Sequence, residues 1–268
     1  IALSRRDSLG KLEIVMIQKR FTFQFFNFVM GCYENKMSFL IKMFSKMTSE
    51  EKMAIYKLDF EAMWYILWLT KPSKFVNNSF TKRYLSKKAL FEKNFTPNNG
   101  TKIKQIIDLS KNSDTQWEIP KGRREKREMP IDTAVREFSE ETDIRPRDYT
   151  IFINDAPVTE SFIDNNVSYT NKYFIATPGA SGVRPKLRFS NKTQYLEVRA
   201  IKWIKYDFID LMIISDEHKK RLMELFHKVD IKLKKFPYLR SSLLLPNQNA
   251  SVDDNKLMYT PSPHDSES

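Results

Sequence analysis

The sequence predicts an α+β fold in which a mixed sheet is interrupted by an inserted all-helical domain. Strand-like segments open the chain, residues 24 to 110 then place Phe, Met and Lys at helical spacing, and strand-like segments resume near residue 115. A structureless stretch of that length would be improbable inside a compact chain, so we predict that the inserted part is a folded domain and not a loop.

The first strands are predicted at residues 1–6 and 11–20, joined by a turn at Asp7–Gly10, and residues 1–23 are assigned to the sheet domain. Because the chain begins at Ile1 inside a strand-like segment, and not at Met, we expect that residues are missing before it. The inserted domain is predicted at residues 24–112. Its candidate helices span residues 24–32, 36–47, 49–58, 60–69, 79–91 and 101–110, with breaks at Pro72 and at Pro97–Gly100.

The sheet domain is predicted to continue over residues 113–240, and the polar segment 246–268 is predicted to be disordered. Residues 177–189 are predicted to form a loop that carries Arg184, Lys186 and Arg188, and residues 216–229 are predicted to be a helix. The candidate strands span residues 115–119, 149–153, 160–164, 168–176 and 199–204, with a hairpin turn at Asn165–Asn166.

Residues 122–144, GRREKREMPIDTAVREFSEETDI, carry the most specific pattern in the chain. They fit G-x5-E-x7-R-E-U-x-E-E-x-G-U, where U is a bulky apolar residue, except that Asp143 stands at the second glycine. Because each of six fixed identities occurs by chance at roughly 6%, a random match in any window of this chain has a probability of about one in 10⁵. The matching fixed positions are Gly122, Glu128, Arg136, Glu137, Glu140 and Glu141.

Residues 133–142 of this segment are predicted to be helical. Glu137, Glu140 and Glu141 fall at i, i+3 and i+4, so their like charges share one helix face and repel. A solvated acidic face is the ordinary interpretation of such a run. Since no lysine at i+4 neutralises it, we predict that the carboxylates hold Mg²⁺ or Mn²⁺. Such ions retain waters and bind substrate phosphates, which suits hydrolysis of a phosphoanhydride.

The remaining positions of the pattern are predicted to support this chemistry. Gly122 lets the loop before the helix bring its backbone close to a ligand. Glu128 and Arg136 are predicted to form an ion pair that braces the loop against the helix, and both are assigned to the catalytic apparatus with Glu140. Asp143 tolerates the left-handed conformation that a helix C-terminus often requires, so we expect a small stability cost there and no loss of chemistry.

These residues resemble the Nudix hydrolases. The preceding segment Trp117–Gly122, WEIPKG, resembles the entry to the box in mRNA-decapping Nudix enzymes and in diphosphoinositol-polyphosphate hydrolases. The resemblance implies a Nudix α/β/α sandwich with a mixed sheet, and it implies that Lys121 and Gly122 contact the substrate phosphates. Residues 197–204, EVRAIKWI, resemble a strand lead in decapping enzymes, where a glutamate outside the box is a further metal ligand or general base. Glu197 is the matching position; the alternative is an ordinary loop glutamate.

The chain is also similar to the decapping enzymes of large cytoplasmic DNA viruses, of the African swine fever virus type and more distantly of the poxvirus type. This resemblance implies hydrolysis of the 5′ cap of host mRNA in the cytoplasm, releasing 7-methylguanosine diphosphate and 5′-monophosphate RNA. Inositol pyrophosphates or nucleoside diphosphate derivatives are alternative substrates, and an inactive RNA-binding module is the alternative from another class. The similar stretches are residues 14–20, 59–65, 117–144 and 173–176.

Composition also favours a polyanionic partner. The formal net charge is +12 and the sequence pI is about 9.5, although the predicted catalytic face is acidic. The positive charge must therefore lie elsewhere, where it can hold the backbone of a nucleic acid. Cys32 is the only cysteine, which favours a reducing compartment. No apolar run is long enough to predict a membrane-spanning helix, and no secretory signal is evident.

The basic stretch at residues 71–93 interleaves lysines with aromatic rings, and a second basic cluster lies on the predicted C-terminal helix. We predict an RNA track in which cations neutralise phosphates and exposed rings stack on bases; the alternative is that the rings are core and the lysines are surface. The RNA-binding candidates are Lys82, Arg83, Lys87, Lys88, Lys219, Lys220 and Arg221. Trp64 and Trp68 are predicted to pack in the core, with one exposed tryptophan for the cap base as the alternative. The three histidines show no metal-ligand spacing and are expected at the surface.

Overall fold

The computed structural model of the protein describes residues 1–72, 78–153, 155–164, 167–179, 182–188, 190–212 and 214–235. Its described part forms two compact units. The sheet unit contains residues 1–17, 118–194 and the chain from residue 200 onward, and the helical unit contains residues 18–117 and 195–199. The predicted disordered tail, residues 246–268, lies outside the described residues.

The main sheet is mixed, as the sequence predicts. Its strands are β1 (Ala2–Arg6), β2 (Leu12–Lys19), β3 (Trp117–Glu118), β4 (Tyr149–Ile151), β7 (Ile175–Pro178) and β8 (Val198–Lys205). They lie in the order β3-β2-β1-β7-β4, with β8 also pairing with β2. β1 and β2 are antiparallel with Ser4 opposite Ile14, whereas β1 and β7 are parallel with Ala2 opposite Ile175.

A separate hairpin consists of β5 (Val158–Asp164) and β6 (Val167–Tyr173). The prediction of one strand over residues 168–176 is therefore wrong, because this segment serves two sheets. Tyr173 pairs with Val158 in the hairpin, whereas Ile175, two residues later, pairs with Ala2 in the main sheet. Residues 168–176 have β-forming character throughout, so the sequence does not reveal where the pairing changes from one sheet to the other. The hairpin turn predicted at Asn165–Asn166 lies outside the described residues.

The helical unit contains the six predicted helices. They are α1 (Phe23–Val29), α2 (Met37–Phe44), α3 (Ser49–Tyr56), α4 (Phe60–Trp68), α5 (Ser79–Phe95) and α6 (Pro97–Leu109). Their starts follow local capping chemistry: the side chains of Thr48, Asp59 and Asn78 each accept a hydrogen bond from a backbone N–H of the following first turn. The predicted break near Pro97 is visible as left-handed backbone at Asn98–Gly100, with φ of 53°, 52° and 71°.

Aromatic side chains form the centre of the helical unit. Trp64 is fully buried, and its ring contacts Phe60 and Tyr84 at centroid distances of 6.1 and 5.5 Å. Trp68 is partly buried against the same cluster, so the core interpretation of this tryptophan pair is correct. Burial of such rings supplies much of the hydrophobic stabilisation of a helical bundle.

The remaining helices are α7 (Pro130–Thr142), α8 (Lys192–Glu197), α9 (Tyr206–Ile209) and α10 (Asp216–Lys234). α7 begins earlier than predicted because Pro130 occupies its first position, where the proline ring presets φ, and Asp132 accepts the N–H of Met129 at 3.3 Å. In the part of the chain that the structure describes, every helix is too short or too polar to cross a bilayer.

Candidate active site

The helix of the box, α7, is held in the sheet unit by its apolar face. Phe138 and Val135 are buried, and the ring of Phe138 meets Tyr149 edge to face at a centroid distance of 5.3 Å. Burial raises the pKa of Tyr149, so this phenol stays neutral beneath the helix. The packing fixes the rotation of α7 and therefore the direction in which its acidic face points.

Arg136 joins the loop to the acidic face of α7. Its guanidinium donates from Nε to Glu128 Oε1 at 2.8 Å and from Nη2 to Glu128 Oε2 at 3.1 Å, so the predicted ion pair is present and bidentate. Nη1 of the same side chain donates to Glu137 at 2.9 Å and to Glu140 at 3.3 Å. One cation thus lies against three carboxylates and offsets part of their mutual repulsion.

Glu128 is held further by the loop that precedes α7. Its Oε2 accepts from the Thr133 hydroxyl at 2.8 Å and from the backbone N–H of Glu125 at 3.0 Å. The hydrogen bond from Arg136 is the largest cause that lowers the pKa of Glu128 to about 2. Glu128 is therefore fully ionised at neutral pH, and its role in this structure is to orient Arg136.

The loop backbone approaches the acidic face very closely at Gly122. A Cβ atom placed on Gly122 would lie 1.9 Å from Glu137 Cδ and about as close to both carboxylate oxygens. Any side chain at this position would displace the Glu137 carboxylate, which explains the glycine in physical terms. One residue earlier, the backbone N–H of Lys121 donates to Glu141 Oε2 at 2.9 Å, and Glu141 is buried. The loop therefore touches two of the three predicted metal ligands.

The side chain of Lys121 is positioned by an acidic neighbour. Its ammonium forms a short ion pair with Glu118, three residues earlier at the end of β3. About 29% of the Lys121 side chain is exposed, so the ammonium lies at the surface beside the box. The structure thus places Lys121 next to the carboxylate face, where the sequence predicts a contact with substrate phosphates.

The three box glutamates fit a hard divalent cation in their chemistry. Each offers carboxylate oxygens, the ligands that Mg²⁺ and Mn²⁺ prefer, and Glu137 and Glu140 converge on one guanidinium nitrogen. Among the described residues, no three His, Cys, Asp or Glu side chains are gathered closely enough to hold an ion as they stand. Arg136 occupies the position between two of the glutamates, so binding of an ion would require their side chains to turn.

Glu197 is the last residue of α8 and belongs to the helical unit. It directly precedes β8, and its carboxylate lies 3.7 Å from Nζ of Lys19. Half of the side chain is exposed, as an ordinary loop glutamate would also be. The role of Glu197 as metal ligand or base stays a prediction.

The basic candidates occupy different surroundings. On α5, Lys82 and Arg83 are exposed and Lys87 and Lys88 are partly exposed, whereas the rings of Tyr84 and Phe91 are buried. The core interpretation therefore holds for these two rings, since they pack against Phe60. Any RNA contact of this helix must come from its cations.

On α10, Lys220 is exposed and Lys219 donates to the backbone of Asp210 at 2.9 Å. Arg221 is partly buried: its guanidinium lies 4.5 Å above the ring of Phe162 and pairs with the exposed Glu217 at 2.9 Å. The expectation that every histidine is at the surface is wrong for His218, which is buried with Nδ1 3.0 Å from Arg221. His218 lies near the start of α10, which packs against α9 and β5. His227 is exposed, and His264 lies outside the described residues.

Sequence reasoning did not find Gln194, which is fully buried beside the end of α7. Its Nε2 donates to the backbone oxygen of Glu141 at 3.2 Å. This oxygen belongs to the last turn of a helix, where carbonyl groups lack intrahelical donors. Glutamine has no recognisable spacing to a residue 53 positions earlier, so no signal in the sequence could have identified the contact.

Asp143 takes the left-handed conformation that the sequence predicts, with φ 57° and ψ 19° at the C-cap of α7. Its carboxylate also forms an ion pair with Arg188 Nε at 2.6 Å, which was not predicted. A cation at this end of a helix interacts favourably with the helix dipole. The residue that departs from the pattern therefore gains a contact that glycine cannot make.

The pattern, the loop–helix geometry and the mixed sheet define a Nudix hydrolase, and the model of the NUDIX domain matches residues 103–226. The chain belongs to the Nudix family. It is 35% identical over 200 residues to the mRNA-decapping protein g5R of African swine fever virus isolate Pig/Kenya/KEN-50/1950, an alignment that covers 72% of this chain and 78% of the relative. The g5R protein of the Badajoz 1971 Vero-adapted strain is 33% identical, covering 72% and 77%.

Among solved structures, the chain is similar to a binary complex of the Ap4A hydrolase of C. elegans, with a TM-score of 0.41 and 14% identity. That similarity covers 88% of this chain and 95% of the solved one.

Proposed function

We propose that the protein is a divalent-metal-dependent mRNA-decapping hydrolase that releases 7-methylguanosine diphosphate and leaves 5′-monophosphate RNA. The observation that carries the proposal is the acidic face of α7, formed by Glu137, Glu140 and Glu141. The backbone of Gly122 closely approaches Glu137, and the N–H of Lys121 donates to Glu141. The similarity to viral decapping proteins over most of the chain supports the cap as the substrate.

The residues of the box are proposed to have separate roles in binding metal and the phosphate chain. Mg²⁺ or Mn²⁺ bound by Glu137, Glu140 and Glu141 would polarise a phosphoryl oxygen and lower the pKa of the attacking water. Arg136 keeps the carboxylates oriented through its bonds to Glu128, and it offsets their repulsion until an ion binds. Lys121, whose ammonium is paired with Glu118, is proposed to contact the phosphate chain of the cap.

Glu197 is proposed as a further ligand or general base, since a positioned base assists a metal-bound water. RNA outside the cap is proposed to bind exposed cations, of which Lys82, Arg83, Lys87 and Lys88 on α5 and Lys219 and Lys220 on α10 are candidates. The partner is thus capped mRNA, and the proposed site of action is the host cytoplasm.

The experiment uses RNA labelled in the cap and incubated with the protein and Mn²⁺ or Mg²⁺, followed by identification of the released nucleotide. We expect 7-methylguanosine diphosphate, no release in EDTA and restoration by added Mn²⁺. Release of 7-methylguanosine monophosphate, or full activity in EDTA, would contradict the proposal. Parallel incubation with a diphosphoinositol polyphosphate tests the alternative substrate class, which would be favoured if only that compound were hydrolysed.

The control variant Glu140→Gln separates catalysis from RNA binding. It removes one negative charge from a side chain that is 41% exposed, so the fold should be retained. We expect cap release to be abolished and RNA affinity to change less than about twofold, because the changed residue is not among the phosphate-contacting cations. Undiminished cap release would remove the metal assignment, and RNA binding without cap release by the wild type would favour an inactive RNA-binding module.

A further inference from the structure

The loop at residues 183–188 is held at both ends by side chains of the sheet unit. Val183 is buried, and its backbone oxygen accepts from Nε1 of Trp203 at 3.2 Å. At the other end, Arg188 pairs with Asp143 at 2.6 Å, and its backbone N–H donates to Oε1 of Gln194 at 2.6 Å. All of these residues belong to the sheet unit. The loop therefore has defined supports at both ends although it contains no helix or strand.

One buried amide connects the middle of this loop to the box. Nε2 of Gln194 donates to the backbone oxygen of Glu141 at 3.2 Å and also to that of Lys186 at 3.4 Å. The backbone of Lys186 therefore lies beside the last turn of α7, next to a residue proposed to hold metal. Gln194 is fully buried, and its Oε1 and Nε2 atoms are both hydrogen-bonded. The side chain therefore fixes the distance between the loop and α7.

The side chains of the loop alternate between interior and solvent. Val183 is buried and Pro185 and Leu187 are half-buried, whereas Arg184 and Lys186 are exposed. Within the described residues, neither of these two cations forms an ion pair, in contrast to Arg188. Two exposed cations thus lie on a loop whose backbone is held beside the last turn of α7.

We propose that residues 183–188 are a phosphate-binding strap, in which Arg184 and Lys186 contact the backbone of the RNA that follows the cap. The inference rests on the proposed function, since it takes capped RNA as the substrate. A phosphate backbone is the matching occupant because it carries repeated negative charge, and the proposed substrate brings that backbone to the box. Arg188, Asp143, Gln194 and Trp203 are positioning residues that hold the strap.

The first test removes the two cations in the full chain. The double variant Arg184→Ala/Lys186→Ala is compared with wild type on a capped RNA several tens of nucleotides long and on the cap dinucleotide. We expect the ratio of the two KM values, RNA over dinucleotide, to rise about tenfold, and kcat on RNA to change little. The slope of log Kd against log salt for single-stranded RNA should fall by roughly 1.4, because each lost phosphate contact removes about 0.7.

A charge-matched control distinguishes the strap from the overall charge of the protein. Lys172 and Lys202 are exposed residues of the same unit, and Lys172→Ala/Lys202→Ala removes the same two charges elsewhere. We expect its RNA affinity and salt slope to match those of the wild type. An equal loss in both double variants, or an unchanged salt slope in the strap variant, would overturn the proposal.

The second test loosens the strap without touching its cations. Asp143→Gly removes the partner of Arg188 and restores the residue of the box pattern, and glycine adopts the observed φ of 57° without strain. We expect an unchanged or higher Tm together with a KM for RNA raised about threefold, since the lost contact is one ion pair close to the surface. Combination with Arg188→Ala should add no further loss, because both changes break the same contact. Additive losses would contradict the positioning role.

The binding measurements keep this inference separate from the proposed function. If the wild type releases no 7-methylguanosine diphosphate, the proposed function fails, yet the salt slope for RNA still tests the strap. If the wild type cleaves caps and the strap variant has an unchanged salt slope, only the strap fails.

Discussion

The helical unit and the sheet unit each bury a glutamate against backbone amides, and the surroundings of the two carboxylates differ. Glu51 is 5% exposed and accepts from the N–H of Thr22 at 2.6 Å, from the Thr22 hydroxyl at 2.8 Å and from the N–H of Thr48 at 2.9 Å. Glu141 is 1% exposed, accepts from the N–H of Lys121, and shares its helix face with Glu137 and Glu140. A buried glutamate can therefore be a structural hydrogen-bond acceptor, as Glu51 is, or a candidate catalytic ligand, as Glu141 is. Glu141 differs from Glu51 in that two further carboxylates lie on its own helix face.

The pKa values of Glu51 and Glu128, one from each unit, are shifted in opposite directions. Burial raises the pKa of Glu51, although hydrogen bonds from Thr22 and Thr48 oppose the shift. In the box, the hydrogen bond from Arg136 lowers the pKa of Glu128 to about 2. Glu51 is thus held by backbone and hydroxyl donors alone, whereas Glu128 accepts from such donors and also from the permanent cation of Arg136.

The largest expected effect comes from Glu141→Gln. The amide oxygen can still accept from Lys121, so Tm should change by only a few degrees, while the loss of a charged ligand should lower kcat by on the order of 10³-fold. Steady-state decapping assays with thermal melts provide the measurement. An active Glu141→Gln enzyme would place Glu141 in the same structural class as Glu51.

The reciprocal change, Glu51→Gln, should affect stability and not chemistry. Both carboxylate oxygens of Glu51 accept from donors, so the new NH₂ group would face an N–H or a hydroxyl without an acceptor. We expect the free energy of unfolding of the helical unit to fall by about 2 kcal/mol. Urea unfolding measures this loss, and kcat on the cap dinucleotide at a temperature where the variant is folded should equal that of the wild type. A kcat reduced more than about tenfold would break the distinction between the two glutamates.

Gly122→Ala should separate stability from activity within the box. The added methyl group would meet the end of the Glu137 side chain, which can rotate away, so the cost in stability should be below about 1 kcal/mol. Activity should fall by about 30-fold, because a ligand displaced by roughly 1 Å can cost on the order of 10²-fold. Comparison of Tm with kcat/KM checks both expectations. A large loss of Tm with full specific activity would show that the close approach is structural.

The smallest expected effect is the pH dependence of the stability that the Glu128–Arg136 ion pair contributes. A pKa lowered from 4.5 to about 2 means that the pair stabilises the fold above pH 4.5 and that this stabilisation is lost as pH falls towards 2. The difference in unfolding free energy between wild type and Glu128→Gln should therefore be at most about 1 kcal/mol near neutral pH and should shrink below pH 4.5. Urea unfolding at several pH values between neutrality and pH 3 measures it. A difference that grows on acidification would contradict the assignment.

The sequence was most informative where local chemistry decides structure. The six helices of the helical unit were predictable because capping residues such as Thr48 and Asp59 and breakers such as Pro97 act within one turn. The box glutamates and the Glu128–Arg136 pair were predictable because their spacing is fixed. The division of residues 168–176 between two sheets was not, since strand pairing depends on partners far along the chain. The contacts of Gln194 and the burial of His218 depend on long-range packing in the same way.

The position of Trp203 makes its fluorescence a probe of the 183–188 segment. Its indole N–H holds the carbonyl of Val183 and its ring lies 4.1 Å beneath the guanidinium of Arg5. The other three tryptophans, Trp64, Trp68 and Trp117, belong to the helical unit. Replacement of those three by phenylalanine would leave Trp203 as the single tryptophan, hydrogen-bonded to the start of the 183–188 segment. Emission from that one ring would then follow the arrival of a ligand without any attached dye.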